Sequence, residues 1–288
     1  MQLFVYGTLL KGMERESILN VSQYIGPAMF QAQLFDLGDY PGMKVGKGAV
    51  FGELYEIDQV TLDALDRLEG YRPFGEKDSL YLRREVEIQR MDGVNVQASC
   101  YFYNHGVKNQ NLIVNGDYRR FRLEQEATDQ WILAYGADIS TDFLIKRIGE
   151  VKASKRGYID GFKLTFQVVG KQKAYYAANI FYVGSREKCP AVAYLLTWDQ
   201  AVALDRRRGI PDNYLRLSMP FRDQYDHTSI VQAYIVRPEK LVIGIDVNAA
   251  YDCIEHVQCG YKEHGFDGSC LTKAFERADS FRVAALEC

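Results

Sequence analysis

One stretch of this chain recurs within it, and that repeat constrains the fold more than any other feature. Leu3-Phe4-Val5-Tyr6-Gly7-Thr8-Leu9 returns as Ile132-Leu133-Ala134-Tyr135-Gly136-Ala137-Asp138. Each copy is an apolar run ending in Tyr-Gly, followed by a small residue and a segment of helical pattern. Glycine after the tyrosine lets the backbone turn sharply where the strand ends. A second pair follows in the same order. Thr61–Gly70 and Gln200–Gly209 both space apolar residues for a short helix and stop at glycine. Each follows a strand-like run, Val50–Ile57 and Val192–Trp198, and each precedes a Tyr-Leu-Arg, at Tyr81–Arg83 and Tyr214–Arg216. Further strands are expected at Arg84–Ile88, Gln97–Tyr103, Leu215–Phe221 and Ile230–Val236. Three landmarks repeated in one order predict two tandem α+β domains of antiparallel strands and few helices. The expected boundaries are 1–120 for the first domain, a polar, acidic linker at Phe121–Asp129, and 130–288 for the second. The second copy carries an extra helical tail, Asn248–Phe281.

Length and composition fit this plan. A chain of 288 residues accommodates two domains of ordinary size. The 20 tyrosines suit half-buried strands, where the ring packs and the hydroxyl stays hydrated. With a net charge of −3 and only short basic clusters, Lys152–Arg156 and Arg206–Arg208, no nucleic-acid partner is expected and both clusters read as solvated surface. No apolar window is long enough for a membrane span. The opening residues read as a strand rather than a targeting segment. The six cysteines are irregularly spaced, which predicts reduced thiols in a cytoplasmic protein. Oligomeric state is left open.

Several motifs together resemble a known family. Phe-Val-Tyr-Gly-Thr-Leu, Phe-Gly-Glu-Leu-Tyr-Glu-Ile-Asp, Leu-Asp-Arg-Leu-Glu-Gly-Tyr and Tyr-Leu-Arg-Arg-Glu-Val in the first half are similar to the γ-glutamylcyclotransferase-like superfamily, in its γ-glutamylamine branch. The second half resembles a degenerate γ-glutamylcyclotransferase through Ala-Tyr-Gly-Ala-Asp, Gly161–Leu164, Ala177–Ile180 and the tail Tyr251, Ile254, Gly260 and His264-Gly265. The resemblance implies two small β-barrel domains with flanking helices. It implies a cavity lined by the Tyr6-Gly7-Thr8-Leu9 loop, with Glu69 as the catalytic carboxylate. The implied reaction turns a small γ-glutamyl amide into 5-oxoproline and a free amine, with no cofactor and no metal. The amine is that of a γ-glutamylamine, a γ-glutamyl amino acid, or a capped secondary metabolite such as an aminoglycoside.

The residues support that chemistry on their own terms. A tethered α-amine attacking its own γ-carbonyl gains effective molarity worth roughly 7–11 kcal/mol. One carboxylate in apolar surroundings can then serve both proton transfers, and successive backbone N–H groups in the Tyr6–Leu9 loop can hold a carboxylate or an oxyanion. The ring of Tyr6 reads equally as core, and Tyr81 and Arg83 either as ordinary cross-strand residues or as shapers of the pocket. In the second copy Arg208 stands where Glu69 stands, and a guanidinium that never deprotonates is no general base. Asp138 also brings negative charge to the second loop, so the second domain is expected to be inactive. The alternative is a binding or interaction protein that keeps the fold and has lost catalysis in both halves.

Two other patterns are set aside. Cys253-x-x-His256-x-x-Cys259, with His264 beyond, resembles metal-ligand spacing, but three-residue steps on a helix point Cys253 and Cys259 apart. Gly46-x-Gly48-x-x-x-Gly52 precedes a strand instead of opening a helix, unlike a dinucleotide-binding turn.

Overall fold

The computed structural model describes residues 1–126, 129–169, 175–184, 186–242 and 254–276. The chain divides into two compact units, Met1–Gln125 and Glu126–Cys288. The division falls inside the expected linker, but most of that segment is helix. Residues Tyr118–Glu126 form α2, and Phe121 packs against the first unit's core, so the first unit runs past residue 120.

In the first unit, β1 (Gln2–Val5) pairs antiparallel with β3 (Pro41–Glu56) and parallel with β5 (Asn95–Tyr103). β5 pairs with β4 (Tyr81–Arg90), β4 with β2 (Gln23–Asp36), and β2 with β3. The five strands therefore close a ring. The short β6 (Asn111–Leu112) adds to β2, and α1 (Gln59–Leu68) follows β3. Closure leaves no open sheet edge among these five strands. The inner residues, among them Phe4, Val50, Leu54, Ile88 and Cys100, form a buried core.

The second unit repeats the ring strand for strand. β7 (Asp129–Ala134) takes the place of β1, β8 (Ala153–Asp160) that of β2 and β11 (Lys188–Thr197) that of β3. β12 (Tyr214–Asp223) and β13 (Thr228–Val236) stand for β4 and β5. These five form a closed barrel with the same partners and the same single parallel pairing, β7 with β13. The registers agree as well. Val5 faces Glu53 as Ala134 faces Val192, Leu3 faces Ser99 as Ile132 faces Gln232, and Arg83 faces Tyr101 as Arg216 faces Tyr234. These pairings make Glu53 equivalent to Val192, Tyr55 to Tyr194 and Tyr101 to Tyr234. The second unit adds α3 (Thr141–Ile148) and a hairpin of β9 (Phe162–Val169) and β10 (Tyr175–Tyr182), with β14 (Leu241–Val242) beside β9. Helix α4 (Trp198–Arg208) corresponds to α1. The tail supplies α5 (Ile254–Glu263) and a further helix over 269–276.

Three expectations need correction. The segment after Tyr6-Gly7 is not α-helical; it holds a single 3-10 turn, Glu16–Leu19, whereas the second copy does form α3. Trp198 does not extend a strand, because Thr197 caps α4 through a reciprocal bond with Gln200. The glycines at 46, 48 and 52 lie within β3, and a Cβ on Gly52 would collide with the carbonyl of Val5 across the barrel wall. In the tail, Tyr251 and Cys253 lie outside the described residues. Among the described residues no group of three or more His, Cys, Asp or Glu is placed to hold a metal ion, and no helix is long and apolar enough to cross a membrane.

Candidate active site

Glu69 owes its position to how α1 ends. Asp58 caps the helix start, accepting from the amide of Thr61 at 2.8 Å. At the other end Gly70 turns into the left-handed region (φ +61°), where a β-carbon would be strained. The amide of Gly70 donates to Arg67 O at 3.3 Å and that of Tyr71 to Asp66 O at 2.9 Å. This pair of reversed bonds is a Schellman turn, and it leaves Glu69 as the last residue before the chain reverses. Tyr81 N then donates to Glu69 O at 3.2 Å and ties the helix end to the first residue of β4. Asp66, one turn back, accepts from Arg83 at 2.8 Å and from the Tyr101 hydroxyl at 2.7 Å. Arg83 therefore anchors the helix to the barrel instead of lining the cavity.

The six residues proposed from sequence come together. Tyr6, Gly7, Thr8, Leu9, Glu69 and Tyr81 line one cavity of about 160 Å³. Tyr6 and Tyr81 are buried, and both are anchored: the Tyr6 hydroxyl donates to Tyr101 O and that of Tyr81 to Pro41 O, each at 2.6 Å. Tyr6 is thus both a packed core ring and part of the cavity wall. Gly7 passes so close to Pro41 that a Cβ there would sit 2.8 Å from the proline Cγ. The loop after β1 is held at its far side, where Leu10 N donates to Gly7 O at 3.0 Å and Arg15 N to Thr8 O at 2.9 Å.

Burial pushes the Glu69 carboxyl from an ordinary value of 4.5 up to about 7, with the Arg15 guanidinium pulling in the opposite direction. The group is thus poised to gain or lose a proton near neutrality. Among the described residues, Arg15 is the one cationic side chain lining this cavity. Sequence reasoning missed it, because an arginine in an irregular loop carries no periodic signal.

Sequence reasoning also passed over the group that holds the loop. Glu53 leaves β3 on the face of Val5 and Tyr55, away from the inner core, yet is almost fully buried, and it pairs with Arg119 of α2 at 2.6 Å. Its second oxygen accepts from the Tyr55 hydroxyl at 2.8 Å and from the amide of Lys11 at 3.0 Å, and Arg119 also donates to Lys11 O at 2.9 Å. Lys11 lies two residues beyond Leu9, so this buried ion pair clamps the C-terminal end of the Tyr6–Leu9 loop. Its sequence signal was an acid between apolar residues in the middle of the run Val50–Ile57.

The second unit keeps the anchors and changes the chemistry. Tyr135 donates to Tyr234 O as Tyr6 does to Tyr101 O, and Asp205 accepts from Tyr234 at 2.7 Å and pairs with Arg216 at 3.5 Å. Gly209 closes α4 with the same turn, and its amide donates to Arg206 O. At the position of Glu69 stands Arg208, which is half-buried and paired with Asp138. The basic run Arg206–Arg208 is therefore only partly solvated surface: Arg206 and Arg207 are exposed, and Arg208 turns inward. Val192 replaces Glu53 in the wall.

A family model described as "Gamma-glutamyl cyclotransferase, AIG2-like" matches residues 3–120. A putative γ-glutamylcyclotransferase of Vibrio cholerae is 44% identical over 118 residues, which cover 40% of this chain and 93% of that protein. The γ-L-glutamyl-butirosin B γ-glutamyl cyclotransferase of Niallia circulans is 30% identical over 124 residues, 42% of this chain and 78% of that one. The solved structure of YkqA from Bacillus subtilis superposes with a TM-score of 0.69 over 91% of both chains at 19% identity, so the fold is shared through both units. On this evidence the chain belongs to the γ-glutamylcyclotransferase family of enzymes.

Proposed function

We propose that the first unit closes a γ-glutamyl group into 5-oxoproline and releases the amine it was bound to, with Glu69 moving the protons. The observation that carries this reading is a carboxyl shifted to about 7 inside the cavity framed by the Tyr6–Leu9 loop. In this reading the Glu69 carboxylate takes a proton from the substrate α-ammonium. The freed amine attacks the γ-carbonyl carbon, a C–N bond forms, and the oxyanion is stabilised by amides of the Gly7–Leu9 turn. Glu69 returns the proton to the departing nitrogen as the old amide bond breaks. The ring nitrogen gives up its second proton through the same carboxylate, and the released amine takes it up as an ammonium, so atoms and charge balance with no further reactant. Tyr81 and Tyr6 supply the rigid wall against which the glutamyl chain lies.

Arg15 gives the substrate α-carboxylate a partner, since a guanidinium matches a carboxylate in charge and geometry. Arg15→Met should raise KM by about tenfold or more, the value of one charge-assisted bond, with a smaller change in kcat. Equal KM in the variant and the parent would remove Arg15 from substrate binding.

The pH dependence follows from the same carboxyl. The deprotonated form starts the reaction, so kcat/KM should rise through an acid limb centred near 7 and absent below it. Stability runs the other way. The folded protein binds this proton more tightly than the unfolded chain, so the contribution of Glu69 falls as pH rises from 4.5 towards about 7. Glu69→Gln should flatten that slope in urea titrations at several pH values. An unchanged slope would show that the carboxyl is not shifted.

For the amine, the supported class is a small primary amine capped by a γ-glutamyl group: an amino acid, the side chain of lysine, or a secondary metabolite. The Niallia circulans relative, named for γ-L-glutamyl-butirosin B, keeps the last class in view. Incubation with a panel of such amides, followed by mass spectrometry for 5-oxoproline, tests the reading. Release from none of them would favour a fold retained for binding alone. The second unit, with Arg208 in place of the acid, is proposed to be non-catalytic.

A further inference from the structure

The second unit has a cavity at the place where the first unit has its own, and the two differ in charge. This cavity is larger, about 260 Å³. Arg147, Arg207 and Arg208 line it, while Asp138, the carboxylate that pairs with two of them, is buried behind the lining. Arg147 donates to one Asp138 oxygen at 3.1 Å and Arg208 to the other. Two guanidiniums carry ten N–H donors and a carboxylate accepts about four, so Asp138 can occupy only a minority of them. Both cations are also held in place by rings. Arg147 stacks on Phe143 at 3.9 Å, and Arg208 lies 5.5 Å from the centre of Tyr214 and 5.8 Å from that of Tyr234. A guanidinium fixed this way gives up little freedom on binding.

One apolar wall has no counterpart in the first unit. Ala177 and Ala178 come from β10, in the hairpin that the first unit lacks. Ala178 packs on Gly136, where a Cβ would stand 2.9 Å from its methyl, as Pro41 packs on Gly7 in the first unit. Small side chains on that wall leave room beside the arginines. A purely structural ion pair filling the position of a lost acid would not require such a space.

We propose that this cavity binds a compact oxyanion, a carboxylate or phosphate group carried on a small apolar body. The head group meets Arg147 and Arg208, with Arg207 at the mouth, and the body lies against Ala177 and Ala178. The site is independent of the ring-closing reaction, because none of its residues belongs to the first unit.

Alanine-methyl NMR on the full chain tests this directly, since alanines line the second cavity and none lines the first. Glutarate, 5-oxoproline and inorganic phosphate serve as probes, and their comparison identifies the head group. The Ala177 and Ala178 methyl signals should shift saturably with at least one probe, and binding should weaken as salt is added. Arg208→Met and Arg147→Met should each weaken binding at least tenfold, the value of one charge-assisted bond, without changing release of 5-oxoproline by the first unit. Glu69→Gln should leave the methyl shifts intact while turnover falls, which separates this site from the proposed reaction. The proposal is overturned if the unsubstituted protein shows no saturable shift with any probe up to about 10 mM. It is equally overturned if the shifts survive in both arginine variants. Should either variant fail to fold, the titration of the unsubstituted protein still decides.

Discussion

Glu69→Gln should abolish most turnover, on the order of 10²–10⁴-fold, while leaving the first barrel folded. The amide has nearly the shape of the acid, and the backbone at this position is held by bonds that do not involve the side chain, from Glu69 N to Leu65 O and from Tyr81 N to Glu69 O. Removing the carboxyl also removes a buried group that burial alone has driven towards neutrality, so no stability penalty is expected near pH 8. Effective molarity is untouched by the substitution, because the nucleophile remains tethered to its carbonyl. What is lost is the proton transfer at both ends of the reaction. No residual turnover should come from the second unit, where Arg208 cannot accept a proton. Arg208→Glu should not create a second centre either, since Asp138 would then face a second carboxylate and the loop still reads Tyr-Gly-Ala-Asp. A folded Gln variant with near-parental kcat would exclude Glu69 from the mechanism.

The repeat was legible because its landmarks obey strong local rules. A strand ending in Tyr-Gly, a short helix ending in glycine and a strand opening with Tyr-Leu-Arg each carry their own geometry, and the pairings show both strands in register. Several of the strands that escaped notice are irregular. β2 contains Gly26-Pro27 and is interrupted by two register shifts, between Tyr24 and Gly26 and between Phe30 and Ala32, which break the alternation of faces. The first half of β3 is diluted by Gly42, Gly46 and Gly48, which read locally as loop. β9 and β10 have no counterpart in the first copy, so the repeat gave no guide to them.

The site divides along the same line. Tyr6–Leu9 and Glu69 sit at ends of regular elements, where motif and geometry coincide. Arg15 sits in an irregular loop, and Arg119 lies in the first turn of α2, most of which read as a linker. Their roles depend on contacts between distant parts of the chain, which periodicity does not carry. The Arg208–Asp138 pair lies between these cases. Both substitutions stood out against the first copy, but only the fold places them on each other.

The largest effect on stability should come from Arg119→Met. Arg119 and Glu53 are among the least exposed charged residues of the first unit, at 6% and 1%. Taking away the guanidinium leaves the Glu53 carboxylate buried, with the Tyr55 hydroxyl and the Lys11 amide as its hydrogen-bond donors among the described residues. Breaking a buried pair in this way costs about 3–5 kcal/mol, a large part of the stability of a unit this size. Urea unfolding should show the first unit's transition moving to lower denaturant while the second unit's stays in place. Glu53→Gln combined with Arg119→Met removes both charges and should recover much of the loss, because no uncompensated ion remains. Activity should not recover with it. The doubly substituted protein lacks the bond from Arg119 to Lys11 O and the charge that holds the Lys11 amide, so the Tyr6–Leu9 loop loses its clamp. Lower kcat/KM in a protein of restored stability is therefore the signature of Glu53 and Arg119 as positioning residues. Full activity in the stable double variant would reduce the pair to a structural contact, and an unmoved transition in Arg119→Met would remove even that.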